Sequence, residues 1–207
     1  MRGMALVGAA ALPVVVASLG LAAPAQAGPA MDLASLAHRG LTKTLTDYDR
    51  AYLMARPKLA ALVPDETQTV LGQSVGPKEA VASGSEAVTA LTTTYCAATD
   101  RYQIHKSLLG AIIFRYHTYG HWCWTGTNVR VDTHYPYFDM IQTVVVNKGV
   151  TANELRNANP TWTIHTQNYV QLCTLGKSLG SVCYANIYPT NWVTVSNKSG
   201  STFRSSI

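Results

Sequence analysis

Sixteen of the 18 aromatic residues and all four cysteines lie between Tyr95 and Phe203; only Tyr48 and Tyr52 precede them. A core needs large apolar side chains, so this asymmetry places the folding domain after about residue 94. From there the pattern is β. Ser107 to Thr118 is a long apolar and aromatic run, Gly120 allows a turn, and Trp122-Cys123-Trp124 starts a return strand that Thr125-Gly126 ends. Ile141–Val146, Tyr169–Leu175, Ser181–Tyr188 and Trp192–Ser196 read as further strands, with Asn147-Lys148-Gly149 as a turn. Thr151 and Glu154 form a capping box that predicts one short helix, closed by Pro160. Short strands and frequent turns predict a mainly β, disulfide-stapled, β-sandwich-like domain over residues 94–207.

The cysteines, Cys96, Cys123, Cys173 and Cys183, are an even set and read as two disulfides with three possible pairings. Cys96–Cys123 with Cys173–Cys183 is favoured, because the second pair would staple one hairpin. No close C-x-x-C pair is present, so neither a metal site nor any cofactor is expected.

Disulfides need an oxidising compartment, and the N-terminus agrees. Met4–Leu21 carries no charge, Arg2 is a minimal basic flank, and Ala25-Gln26-Ala27 is a small-x-small cleavage site. Residues 1–27 thus read as a signal peptide, with the protein secreted after cleavage near Ala27 and no transmembrane segment afterwards. Leu33, Ala37, Leu41, Leu45, Tyr48 and Tyr52 form one stripe of a helix over residues 32–55, within a helical segment 28–62. Residues 63–93, punctuated by Gly72, Gly76-Pro77 and Ser83-Gly84-Ser85, read as a flexible linker.

Charged residues make up 13% of the chain, about half the usual share, which excludes a mainly disordered protein. The formal charge of +5 is mild and no Lys/Arg run occurs, so no nucleic-acid partner is expected. Gly176-Lys177-Ser178-Leu179-Gly180 matches the nucleophile-elbow pattern. That elbow needs an acid and a histidine later in the chain, and the last of each are Glu154 and His165.

Trp162, Tyr169, Tyr184, Tyr188 and Trp192 join ring faces to polar handles, the kind of residue that stacks on sugars or lines interfaces. Trp162, Tyr169, Tyr184 and Trp192 are the candidate ligand-binding residues, Trp162 and Tyr169 foremost. From Arg156 onward there are four basic residues and no acid, which would favour an anionic envelope.

Two stretches resemble known families. Ser107-Leu108-Leu109-Gly110, Tyr116-His117, Trp122–Gly126, Val182-Cys183-Tyr184 and Ile187-Tyr188-Pro189 together resemble a group of secreted actinobacterial β-rich proteins over residues 95–207. That resemblance implies export and a β fold and carries no activity. Asp139 to Leu172 is similar to a LysM module through Gly149-Val150-Thr151, Glu154-Leu155 and Asn157-Ala158-Asn159-Pro160. It implies binding of N-acetylglucosamine-containing glycans, and that these residues form the module's second helix and the loop after it.

The expectation is a secreted, non-catalytic protein that binds peptidoglycan, another envelope glycan or an envelope protein through exposed aromatics. One alternative is a secreted hydrolase using Asp132 and His134. Another is an interaction protein docking through helix 32–55.

Overall fold

The computed structural model describes residues 31–81, 93–140, 142–158, 160–174, 182–198 and 200–207. The predicted signal peptide, the Ser/Gly-rich part of the linker and the elbow-like 176–180 segment lie outside them. No helix of the described residues is long and apolar enough to cross a membrane.

Two antiparallel sheets make up the fold, which is mainly β and sandwich-like, as expected. The first holds β1 (Val70–Val75), β2 (Glu79–Val81), β3 (Thr94–Lys106), β4 (Ile112–Thr125) and β5 (Asn128–Met140). β1 and β2 lie in succession along one edge of β3, and the sheet continues through β4 to a free edge at β5. The second holds β6 (Val145–Ala158), β7 (Thr161–Thr174), β8 (Val182–Ile187), β9 (Thr190–Ser196) and β10 (Ser201–Ser206). Here β8 and β9 share one side of β7, β10 adds to β9, and β6 is the free edge. Cys96–Cys123 joins β3 to β4 and Cys173–Cys183 joins β7 to β8, the favoured pairing.

Several local expectations fail for identifiable reasons. Gly120 is no turn but the middle of β4: a Cβ there would sit 2.6 Å from Ile164 Cδ1, so glycine lets the facing sheet approach. The capping-box helix at Thr151–Glu154, also implied by the LysM resemblance, is strand β6; its pairing with β7 from Val145 to Ala158 overrides the local signal. Gly149 (φ 115°) sits at an irregularity in that strand instead of in a turn. Part of the expected linker is ordered as β1 and β2.

The single helix expected over residues 32–55 is two, α1 (Leu33–Leu41) and α2 (Asp47–Met54), followed by one turn, α3 (Pro57–Ala60). Lys43 turns the chain at φ 60°, and Thr46 restarts it with a reciprocal capping box to Asp49. Arg39 then grips the Asp49 carboxylate with two bonds of 2.9 Å. Leu36, Leu53, Ala60 and Val63 form a buried cluster on which Leu33, Leu45 and Tyr52 of the stripe pack, while Tyr48 stays exposed.

A 3₁₀ turn at Glu66–Gln68 carries this segment onto the sheet. Asp65, buried there, accepts from Arg50 Nη1 at 2.8 Å, from the Thr67 hydroxyl at 2.6 Å and from Gln68 Nε2 at 3.2 Å. Burial alone would raise its pKa, but these donors outweigh it and hold the carboxyl at about 2. A carboxyl depressed in the folded state contributes stability above its unfolded value of about 4, and that contribution is lost as pH falls through 2. The stability gap between the native chain and an Asp65→Asn variant is therefore expected to shrink by about 2 kcal/mol from pH 5 to pH 2 in urea titrations. A constant gap would mean that the carboxylate charge does no work there.

The interior is divided. Ile113, Phe114, Tyr116, Val144, Val145, Val170, Leu172 and Ile187 form one apolar cluster; Ala97, Trp122, Trp124, Ile164, Val193 and Val195 form a second. A belt of buried polar side chains runs between them. His105 Nε2 lies 2.9 Å from Gln103 Oε1, and Gln103 Nε2 donates to Asn191 Oδ1 at 3.0 Å. Asn191 Nδ2 donates to Thr118 Oγ1 at 3.0 Å, and Thr118 Oγ1 meets Thr166 Oγ1 at 2.6 Å. At the other end His105 Nδ1 approaches Glu66 Oε1 at 2.6 Å, and Thr69 caps the second carboxylate oxygen at 2.7 Å. Gln103 donates on its amide side, so its oxygen faces His105 and Nε2 carries a proton.

Candidate functional site

Strand alternation sorts β3, β4 and β5 into an inner face and an open one. Gln103, Thr118 and Trp122 point inward; Asp100, Tyr102, His117, Tyr119, Tyr135 and Tyr137 lie on the open face. Register lines these up across the sheet, Tyr102 with His117 and Tyr137 in one row, Asp100 with Tyr119 and Tyr135 in the next. The rows are about 10 Å wide, the span of three strands.

The rings stack within rows. His117 and Tyr137 are 4.2 Å apart at 20°, Tyr102 and His117 5.2 Å, and Tyr119 and Tyr135 5.0 Å at 25°. Tyr135 and Tyr137, 6.2 Å apart, join the rows and are 46% and 40% exposed, enough to offer ring faces to a ligand. Tyr102 lies over β1, where a Cβ on Gly72 would come within 2.2 Å of its ring.

Asp100 holds the arrangement together. Its Oδ2 accepts from the Tyr137 hydroxyl at 2.6 Å and from His117 Nδ1 at 2.9 Å. Burial, then the adjoining carboxylate, push the Tyr137 hydroxyl pKa upward, so it remains a donor. Asp100 Oδ1 and His117 Nε2 are buried and find no hydrogen-bond partner among the described residues. Beside Tyr119 a groove of about 180 Å³ runs past His121, Ala98, Gly76 and Pro77. The face therefore combines flat rings, an acceptor and a small-residue groove, the elements that receive a ring-shaped polar ligand.

The four residues expected to bind ligand separate. Trp162 turns inward, donates from Nε1 to the Val129 carbonyl at 2.9 Å and packs on the second apolar cluster. Tyr184 packs on the first cluster and donates to the Leu62 carbonyl at 2.9 Å. Tyr169 and Trp192 do reach the open face of the second sheet, each in a stacked pair. Tyr169 stacks on Tyr188 at 5.0 Å, while Trp192 stacks on His165 at 5.3 Å with Arg204 over its ring at 4.8 Å. A cleft of about 420 Å³ between α1 and β8, lined by His38, Gln171, Tyr184 and Asn186 among others, offers amides but a single phenol ring.

The Asp132 and His134 pair is not assembled either. A register shift at His121/Trp122 breaks the alternation between them. The Asp132 carboxylate meets Arg130 and, at 3.6 Å, His121 Nδ1, while His134 sits opposite Gly120 with its pKa lowered by burial.

The aromatic face escaped sequence reasoning because its rings come from three strands. A signal was present in Tyr135-Pro136-Tyr137 and in His117-Thr118-Tyr119, where rings recur every second residue. No family model, curated protein or solved structure matches this chain. Fold and face define it as a disulfide-stapled antiparallel β-sandwich with an aromatic open face on its first sheet, and its function is argued from that geometry.

Proposed function

We propose that this chain is an exported, non-catalytic binding protein whose ligand, an envelope glycan such as peptidoglycan, lies across the open face of the first sheet. One observation carries the reading: Tyr119 stacks on Tyr135, Tyr137 lies tilted beside Tyr135 and bonded to Asp100, and Tyr135 and Tyr137 remain exposed. Sugar rings present C–H faces that pack on such platforms. Two disulfides support an oxidising compartment, and the predicted export segment agrees with it. His117 supports a binding role over a catalytic one, because rings flank its imidazole and its Nε2 is buried.

Co-sedimentation with insoluble peptidoglycan at low and high salt tests this. Retention is expected to survive high salt, because stacking is not screened. Tyr135→Ala is expected to weaken it about fivefold, roughly 1 kcal/mol for one lost ring, with circular dichroism unchanged. Trp192→Ala, on the other sheet, is expected to leave it intact. Binding that salt abolishes, or that Tyr135→Ala spares, would reject the aromatic face as the site.

A further inference from the structure

At the end of the same open face the Cys96–Cys123 disulfide sits among groups that a disulfide does not need. His121 and Asp132 crowd it: Asp132 Oδ2 lies 3.0 Å from Cys123 Sγ and 3.6 Å from His121 Nδ1. Disulfide sulfur has no hydrogen to donate, so the carboxylate faces Cys123 without a hydrogen bond. Its other oxygen, Oδ1, is held by Arg130, which aims Oδ2 at the sulfur. The two sulfurs and a His121 ring nitrogen lie within 4.8 Å of one another.

We propose that reduction of Cys96–Cys123 opens a zinc site, with Cys96, Cys123, His121 and Asp132 as its four ligands. Two thiolates, an imidazole and a carboxylate are a donor set that zinc accepts. Zinc–sulfur bonds of 2.3 Å and zinc–nitrogen or –oxygen bonds near 2.0 Å place tetrahedral ligands roughly 3.3–3.8 Å apart. The His121–Asp132 and Cys123–Asp132 separations, 3.6 and 3.0 Å, are already close to that spacing. Two changes are required: the sulfurs part from their bonded 2.04 Å, which the rotatable Cα–Cβ bonds of both cysteines allow, and the Asp132 carboxylate, which lies outside the 4.8 Å cluster of the other three, swings toward Cys96. His121 and Asp132 are partly exposed, which leaves a path for the ion.

The chemistry balances with a trialkylphosphine as reductant. Phosphorus attacks one sulfur and the S–S bond breaks. Water then delivers oxygen to the phosphine, which leaves as its oxide, and the two sulfurs become thiols. Zinc then displaces both thiol protons to solution. Because the site exists only in the reduced chain, metal occupancy follows the thiol–disulfide state around the protein.

Cobalt is the spectroscopic probe, added anaerobically to the full chain after phosphine reduction. One equivalent is expected to give a thiolate-to-cobalt charge-transfer band and the strong visible bands of tetrahedral cobalt, which zinc then removes. The unreduced chain should give neither. A Cys173→Ser/Cys183→Ser variant is expected to keep the signal. His121→Ala should weaken zinc at least about 100-fold, and Arg130→Ala, which frees the aspartate, about 10-fold. Circular dichroism follows the fold throughout. A reduced chain that melts and regains its strands with one equivalent of zinc supports the site. Absence of the cobalt bands in the reduced chain, folded or not, overturns it, as does their persistence in Cys96→Ser/Cys123→Ser.

Discussion

Gln103→Leu is expected to lower the unfolding free energy by roughly 3–5 kcal/mol, although leucine nearly matches glutamine in shape. The loss is one of hydrogen bonding. Gln103 is 1% exposed and joins His105 to Asn191 across the gap between the sheets. Leucine would leave the His105 Nε2–H and the Asn191 Oδ1 facing an apolar wall, and each buried polar group without a partner costs about 1–3 kcal/mol. Because Glu66 engages the other nitrogen of His105, the penalty passes along the belt, and the whole network is involved. Guanidinium unfolding of Gln103→Leu, Asn191→Leu and the double variant measures this. The double variant should lose clearly less than the sum, because the second change removes a group the first had stranded. Strict additivity, or a single-variant loss below about 1 kcal/mol, would show that the belt is solvated and does not act as a unit.

Trp122→Ala is expected to cost about 3–5 kcal/mol, the range for removing a fully buried large ring. Trp122 is 0% exposed and central to the second cluster, packed beside Trp124 at 6.3 Å. Its Nε1 finds no hydrogen-bond partner among the described residues, so the indole nitrogen contributes volume and a desolvation penalty. Trp122→Phe removes that N–H while filling much of the space, and its cost should stay near 1 kcal/mol. Thermal melts of the two variants decide the matter: comparable losses would mean that the indole nitrogen is satisfied and matters more than the ring.

What the residue pattern made legible was local and repetitive. Cysteine number and hairpin spacing anticipated both disulfides, and alternation with turns anticipated a mainly β sandwich. The misreadings share a physical origin, since each involves a residue whose role is set across the fold. Gly120 has the composition of a turn and the function of a spacer for Ile164, 44 residues away. Thr151 and Glu154 spell a helix start, yet a neighbouring strand claims their backbone. Trp162 and Tyr184, both half-buried, carry the same polar handles as surface rings, and the backbone carbonyls of Val129 and Leu62 receive those handles. Tyr119 and Tyr135 meet only because β4 and β5 are in one register, which no single window of sequence contains.

Both sheets end in a long strand that has a neighbour on one side alone, β5 in the first and β6 in the second. Such rims invite another chain to add itself. Pro136 interrupts the row of donors on β5, and β6 carries two register irregularities together with Lys148, Glu154 and Arg156. A second copy could therefore zip onto either rim only in broken stretches, with charged side chains in the seam. A protein rich in tyrosine and low in charge is by composition a candidate for fibre growth. These two rims are where that tendency is checked.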